Sequence, residues 1–519
     1  MAKRKRETAD DAAHAMNGVK KSKADSVTSN SSTNPPQIHV QIIAGSYERI
    51  LHGITASIPL HVLSPSDAEA NSSSKEAESS TETSSEPVVS FADTFLFSAH
   101  ASSIRCLALS PPSTDSSKVL LATGSTDARI NLYTLSTAAP RAQPPHTSSP
   151  PSAPPRAAAP RNKELGSLTQ HSSAVTALAF ARRTKLVSAG ADNVVSVTRT
   201  RDWTPLAALR APRPKPAGRP AGDAAADAPA GITDFAVHPS CKVMVSVGRN
   251  ERCMRLWNLV TGKRAGVLQF ERALLEAVGE GKYGSGEGRC VRWDAEGEEF
   301  VVGFERGVAV FGMDCRVKGV VQLSGRTKVQ QCRYVDGLEG VVAVSTDDGR
   351  ICFFSTAALE RSEPADGEKS QSIPQCKWLA QLGGQEAEII GRAKDFIVLP
   401  MPSNREDGEA SNECLVNIGY SDGAIRVWFL NLQELTSSQP TTNGTGSHSA
   451  ASDSKEPAAN GSKGETRLVG RLLATYETGN RITCLTAFVM SGNADGLPDA
   501  AVEAEPEEDE SDSDASDEE

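Results

Sequence analysis

The sequence predicts an all-β chain folded as a seven-bladed β-propeller with low-complexity loop insertions, and three observations predict it. First, apolar residues alternate at period two in the runs 104–109, 175–180, 232–237, 290–293, 329–334 and 482–485, which is the pattern of half-buried strands. Second, an acid precedes an aromatic or its substitute by six positions seven times: Glu48 and Ile54, Asp127 and Tyr133, Asp192 and Thr198, Glu251 and Trp257, Glu305 and Phe311, Asp348 and Phe354, Asp422 and Trp428. Third, the stretches between these units are polar and of low complexity, as loops on one continuous scaffold are. Small repeated sheets cannot bury their faces alone, so they stack radially.

Residues 1–37 hold seven Lys/Arg against four Asp/Glu. Lys3, Arg4, Lys5 and Arg6 are separated by thirteen residues from Lys20, Lys21 and Lys23. Two basic clusters on a disordered strip suit the two acidic grooves of a nuclear import receptor. The propeller is expected over residues 38–490. The first acid-to-aromatic pair has no strand of its own ahead of it, whereas the last strand-like runs, 471–476 and 481–488, have no such pair after them. Both runs are therefore expected to share a blade with the N-terminal strands, which closes the ring and removes exposed sheet edges.

In each unit the acid is expected in the tight turn, accepting backbone N–H bonds. The aromatics Tyr133, Trp257, Phe311, Phe354 and Trp428 are expected to fill the wedge between neighbouring sheets. His100 and His171 stand just ahead of a first strand, where they are expected to hydrogen-bond Asp127 and Asp192. No second His or Cys lies at ligand spacing, so they read as structural and not as metal ligands.

Inserts are expected near 64–88, 136–162, 210–230, 360–375, 401–412 and 435–465, tolerated where loop entry and exit lie close together. Residues 491–519 contain thirteen acids and no base, with Ser511, Ser513 and Ser516 among the carboxylates. Such a tail repels itself, is expected to be disordered, and resembles a target of an acidic-directed kinase.

Most of the formal net charge of −11 sits in that acidic tail. No apolar run approaches the roughly 20 residues that span a bilayer, and no secretory signal precedes the repeats, so an intracellular, soluble protein is expected. The ten cysteines are scattered singly with no C-x-x-C, which argues for buried thiols and against zinc or disulfides. There is no G-x-S-x-G elbow and no phosphate-cradling G-x-x-x-x-G-K-[ST]. The glycine-rich segment 284–288 lacks the Lys and Ser/Thr of such a cradle and reads as a flexible loop. The equivalent turn acids suit structure and not an acid/base pair. Neither catalysis nor a cofactor is expected. Arg199, Arg201, Arg210, Arg213, Lys215 and Arg219 face one nearby acid, Asp202. They form either an RNA-phosphate contact or a solvated insert.

The segments AGSYERILHGI (44–54), HASSIRCLALS (100–110), LLATGSTDARINLYTL (120–135), FAVHPSCKVMVSVGRNERCMRLWNLVTGKRAG (235–266), IGYSDGAIRVWFLNL (418–432) and TGNRITCLTAF (478–488) resemble, in order, the PAK-interacting/maintenance-of-killer family of WD-repeat proteins. The resemblance covers most of residues 40–490 outside the inserts. It implies a nucleolar scaffold in assembly of the large ribosomal subunit, a monomer held within a larger complex of assembly factors and pre-rRNA. It also implies an alternative, a negative regulator that binds a PAK-type kinase. The chain departs from the pattern at Thr198, at the longer turn of Asn250 and Glu251, at Glu305-Arg306-Gly307, and in its acidic C-terminal end.

Overall fold

The computed structural model describes residues 37–63, 89–113, 116–140, 162–212, 231–281, 284–325, 327–360, 373–389, 391–402, 411–436 and 467–491. The import clusters from Lys3 to Lys23, the acidic segment 503–519, Arg213, Lys215, Arg219 and most of each expected insert lie outside the described residues.

The described strands form seven four-stranded antiparallel blades. The second blade comprises Ile104–Leu109, Lys118–Ser125, Ile130–Ser136 and Lys163–Leu168, and the third Val175–Arg182, Lys185–Gly190, Val194–Arg199 and Pro205–Arg210. The fourth comprises Ile232–Val237, Val243–Gly248, Cys253–Asn258 and Lys263–Gln269, and the fifth Cys290–Trp293, Glu299–Gly303, Gly307–Gly312 and Val317–Gln322. The sixth is Val329–Tyr334, Val341–Thr346, Arg350–Glu360 and Gln375–Gly383. Its outer strand touches that of the fifth through one parallel pair, Val320 with Gln375. The seventh is Ala393–Pro400, Glu413–Tyr420, Ala424–Asn431 and Arg471–Glu477.

The first blade closes the ring. Ile482–Val489 is its inner strand and pairs with Gln37–Ser46, followed by Ile50–Pro59 and Ser90–Ser98. Of the two C-terminal runs expected there, only this one joins it. Arg471–Glu477 pairs instead with Ala424–Asn431. The reason is edge economy: Ser90–Ser98 already covers the third strand of the first blade, and without Arg471–Glu477 the strand carrying Trp428 would be an exposed edge. The seventh inner strand, Ala393–Pro400, was not foreseen, because Lys394 and Asp395 interrupt its apolar alternation.

Each inner strand packs against the inner strand of the next blade around the whole circle, including the seventh against the first. The core lies in the wedges between blades. Gly307–Gly312 and Val341–Thr346 are buried at every residue. Tyr133, Trp257, Phe311, Phe354 and Trp428 are all buried, as are their substitutes Ile54 and Thr198. Burying a large apolar side chain contributes roughly 1.5–3 kcal/mol. The wedges are tight: a Cβ on Gly124 would sit 2.7 Å from both Cys106 Sγ and Val175 Cγ1, and one on Gly45 would sit 2.7 Å from Cys484 Sγ.

Candidate functional site

Each inner strand starts on one face of the ring and its antiparallel neighbour returns there. The turn between second and third strands therefore lies beside the loop that enters the inner strand, and this turn face gathers the repeat's polar side chains. Asp127 accepts the N–H groups of Ala101 (3.1 Å) and Arg129 (2.9 Å). His100 lies between Asp127 Oδ2, 3.1 Å from its Nδ1, and Thr123 Oγ1, 2.8 Å from its Nε2. The third blade repeats the arrangement. Asp192 accepts from Ser172 N (3.0 Å) and Val194 N (3.1 Å), and His171 lies between Asp192 (3.2 Å) and Ser188 Oγ (2.8 Å).

Burial lowers the pKa of His100, an effect the Asp127 carboxylate only partly opposes, so the imidazole is neutral near pH 7. Burial raises the Asp127 and Asp192 carboxyls, but their N–H and imidazole partners outweigh it and both sit below the usual carboxylate range. Glu48 accepts Arg481 N at 3.0 Å, and Asp422 accepts Ala424 N at 3.0 Å.

Three turns differ. Glu251 forms a buried ion pair with Arg255, in place of the backbone bonds expected of it. The cause is one residue of register. Arg49, Ala128, Asn193, Gly349 and Gly423 follow their acids in the left-handed conformation, whereas in the fourth blade Asn250, ahead of Glu251, takes it at φ 58°. Glu251 is thereby moved out of the turn. Glu305 pairs with Lys328 (2.6 Å) and Arg289 (3.1 Å), also in place of backbone donors. Asp348 binds Arg350 Nε at 2.8 Å while its neighbour Asp347 accepts Lys328 N at 2.8 Å.

The basic cluster does not form one surface. Arg199 and Arg201 lie at the turn between third and fourth strands, with Arg199 3.6 Å from Asp202. Arg210 pairs with Val194 at the far end of the same hairpin and so belongs to the turn face. The segment 284–288 is fastened, contrary to the flexible loop expected. Arg252 donates to Gly284 O (2.9 Å) and Ser285 O (3.0 Å), and Glu287 accepts Asn250 N (2.8 Å).

The inner strands enclose a channel of about 1120 Å³. Four acids line its wall, Asp234, Asp294, Asp336 and Asp395, and the two that tie blades together escaped sequence reasoning. Asp234 accepts Val291 N (3.0 Å) and the Arg292 guanidinium (2.6 Å), and Asp395 accepts Leu485 N (3.0 Å) and Arg333 (3.1 Å). Each fastens its blade to the backbone of the following one. Thr176 and Thr483 do the same through hydroxyls that donate to Ile232 O and Ile104 O, both at 2.7 Å. The available signal was an acid directly before Phe inside an apolar run, at Asp234-Phe235 and Asp395-Phe396, since a buried charge requires partners. Among the described residues no group of three or more His, Cys, Asp or Glu could hold a metal ion, and no helix is long and apolar enough to cross a membrane.

The closed ring and its turn-face ties define a WD-repeat β-propeller, and comparison with known proteins agrees. The family described as WD domain, G-beta repeat matches residues 92–134 and 162–198. The chain is 23% identical to a p21-activated protein kinase-interacting protein 1-like of Gallus gallus over 273 residues, which is 52% of this chain and 56% of that protein. It is 23% identical to the protein of the same name in Danio rerio over 400 residues (77% and 76%), and 25% identical to Protein MAK11 of Saccharomyces cerevisiae over 371 residues (66% and 71%). The chain is thus similar, at low identity, to proteins named p21-activated protein kinase-interacting protein 1-like and MAK11, and it carries WD repeats.

Proposed function

We propose that the protein is a non-enzymatic scaffold in biogenesis of the large ribosomal subunit, holding assembly factors and pre-rRNA in the nucleolus. The scaffold reading rests on the WD repeats and on two of the four acids that line the channel being tied up between blades, Asp234 by Arg292 and Val291 N and Asp395 by Arg333 and Leu485 N. A propeller hydrolase would need convergent acids free to act on substrate. The ribosomal assignment rests on the family resemblance, with the basic clusters at Lys3–Arg6 and Lys20–Lys23 as the import signal. The other reading, direct binding and restraint of a PAK-type kinase, is favoured by the names of the chicken and zebrafish relatives. Depletion of the protein followed by analysis of rRNA precursors separates the two. Loss of late large-subunit precursors is the expected result; unchanged rRNA processing with altered kinase activity would replace the first reading by the second.

A further inference from the structure

Arg199 and Arg201, which their hairpin parts from Arg210, have other cations beside them on the face opposite the turn face. Arg182 and Arg199 both stand opposite Lys185 in the ladder of the third blade. Thr200 donates through its N–H to Thr184 O (3.0 Å) and through its hydroxyl to Arg183 O (2.8 Å), so the turn after the first strand and the turn after the third are held together. The fourth blade continues the surface. Cys241 Sγ donates to Ala181 O at 3.2 Å, which places Lys242 next to the turn that carries Arg182. Leu259 N donates to Lys242 O at 2.8 Å, which brings in the turn that ends at Lys263. All of these cations are exposed except Arg183, which is half-buried. Against them stands Asp202, 3.6 Å from Arg199, and no other ion pair reaches them among the described residues. Acids return at the borders: Glu164 beside Lys163 in the second blade, and Glu296 and Glu298 in the fifth, all exposed. Like charges gathered on one part of a surface raise its potential and attract a polyanion.

The chain leaves the ring on this same face. Beyond the inner strand of the first blade, Ser491 N donates to Thr137 O (2.8 Å) and Ser491 O accepts from Ala139 N (3.2 Å), while Thr137 N donates to Ser117 O (2.8 Å). Ser491 therefore lies at the turn after the first strand of the second blade, one blade from Arg182. Glu503 follows twelve positions later. Twelve extended residues span about 40 Å, whereas neighbouring sheets stack about 10 Å apart. Residues 503–519 carry eleven acids and no base, and they contain no Leu, Ile, Val, Met, Phe, Tyr or Trp, so any contact they make is held by charge and not by an apolar anchor. A tether this short keeps the segment at an effective concentration in roughly the millimolar range. A contact too weak to form between separate chains is then populated within one.

We propose that the acidic segment 503–519 docks in cis on the basic surface of the third and fourth blades, its carboxylates meeting Arg182, Lys185, Arg199, Arg201, Lys242 and Lys263. Hydrogen-bonded hairpins already hold these cations, so the surface needs no reordering when the segment arrives. While docked, the segment keeps other polyanions off this face. A nucleic acid would compete for the same cations, but it must be captured from solution. The contact does not depend on the ribosomal role.

The test treats the full chain with a water-soluble carbodiimide, which joins touching carboxylates and amines, and maps the cross-links by mass spectrometry. An equal mixture of isotopically light and heavy chains separates links within a chain from links between chains. Expected are intrachain links from the acids of 503–519 to Lys185, Lys242 and Lys263, measured against the link between Lys318 and Glu299, which lie 3.1 Å apart in the fifth blade. They are expected to fall about tenfold in about 1 M salt, where the Debye length shrinks to about 3 Å, and as far in the Arg182→Glu/Arg199→Glu/Arg201→Glu variant. Unchanged circular dichroism and melting temperature show that this variant is folded, and the salt arm decides without it. The proposal is overturned if the segment links to none of the three lysines, links only between chains or only to the lysines of the Lys3–Lys23 clusters, or links equally in high salt or in the folded variant. Loss of the links on adding an equimolar short oligouridylate would overturn it too, by making RNA the preferred occupant. rRNA processing plays no part in this readout, so failure of the ribosomal role would leave a positive result standing.

Discussion

The second and fourth blades perform one task by different chemistry. In the second, the turn is tied to the entering loop by Asp127, by a neutral buried His100 and by Thr123. In the fourth, Glu251 and Arg255 form a buried ion pair, Arg249 N donates to Gly231 O of the loop entering that blade, and Arg252 and Glu287 fasten the turn to the loop entering the fifth blade. The difference teaches that the propeller needs a tie at this place more than it needs a particular acid. A shift of the left-handed residue from behind the acid to Asn250, ahead of it, is enough to exchange one solution for the other.

Four substitutions or conditions sharpen this contrast, in order of expected effect. Glu251→Ala leaves Arg255 buried without its counter-charge, and removing one member of a buried pair costs about 3–5 kcal/mol. The expected outcome is a fall in denaturation midpoint larger than that of any turn variant in the second blade. His100→Ala removes one partner from Asp127 and one from Thr123 Oγ1, which keep their bonds to the backbone, and is expected to cost about 1–3 kcal/mol, read from the same urea transition. An Asp127 substitution that costs more than Glu251→Ala would break the comparison.

The pH response separates the blades by magnitude. His100 is buried in its neutral form with a lowered pKa, so the stability it contributes is complete above its unfolded pKa of about 6.5 and declines as pH falls below that. Asp127 also has a lowered pKa, and its contribution is lost only as pH falls through and below about 3.9. Hydrogen-exchange protection factors, taken against the intrinsic rate at each pH, are therefore expected to fall first over residues 99–113 and 116–136 between pH 7 and 5, with the fourth-blade turn at 249–255 changing less. An equal fall in both would show that the imidazole is not the sensitive element. The smallest effect is expected at Glu305. Its partners Lys328 and Arg289 are part-exposed, so Glu305→Gln should cost no more than about 1 kcal/mol and show salt dependence.

Much of this was legible in the sequence because the repeat imposes local chemistry at fixed spacing. The aromatics at six residues from their acids are all buried, and His100 and His171 reach the turn acids named for them. What escaped depended on geometry that spacing does not encode. Glu251 keeps the six-residue interval from Trp257, and only the φ of Asn250 reveals that it has left the turn. The strand Arg471–Glu477 follows a long insert, so its partner could not be read from proximity along the chain. Arg199 and Arg210 are close in sequence, but a hairpin carries them to opposite ends of one blade. Asp234 was hidden inside a run that reads as alternating and Asp395 inside one whose alternation it breaks, and they gain meaning only when Val291 and Leu485 of the following blades come within reach.

The claim that the ring serves as a ribosomal scaffold is tested most directly by purifying the tagged full chain from growing cells and identifying the RNA and protein that accompany it. The account predicts large-subunit precursor rRNA together with assembly factors. Recovery of a p21-activated kinase with no precursor rRNA would contradict it.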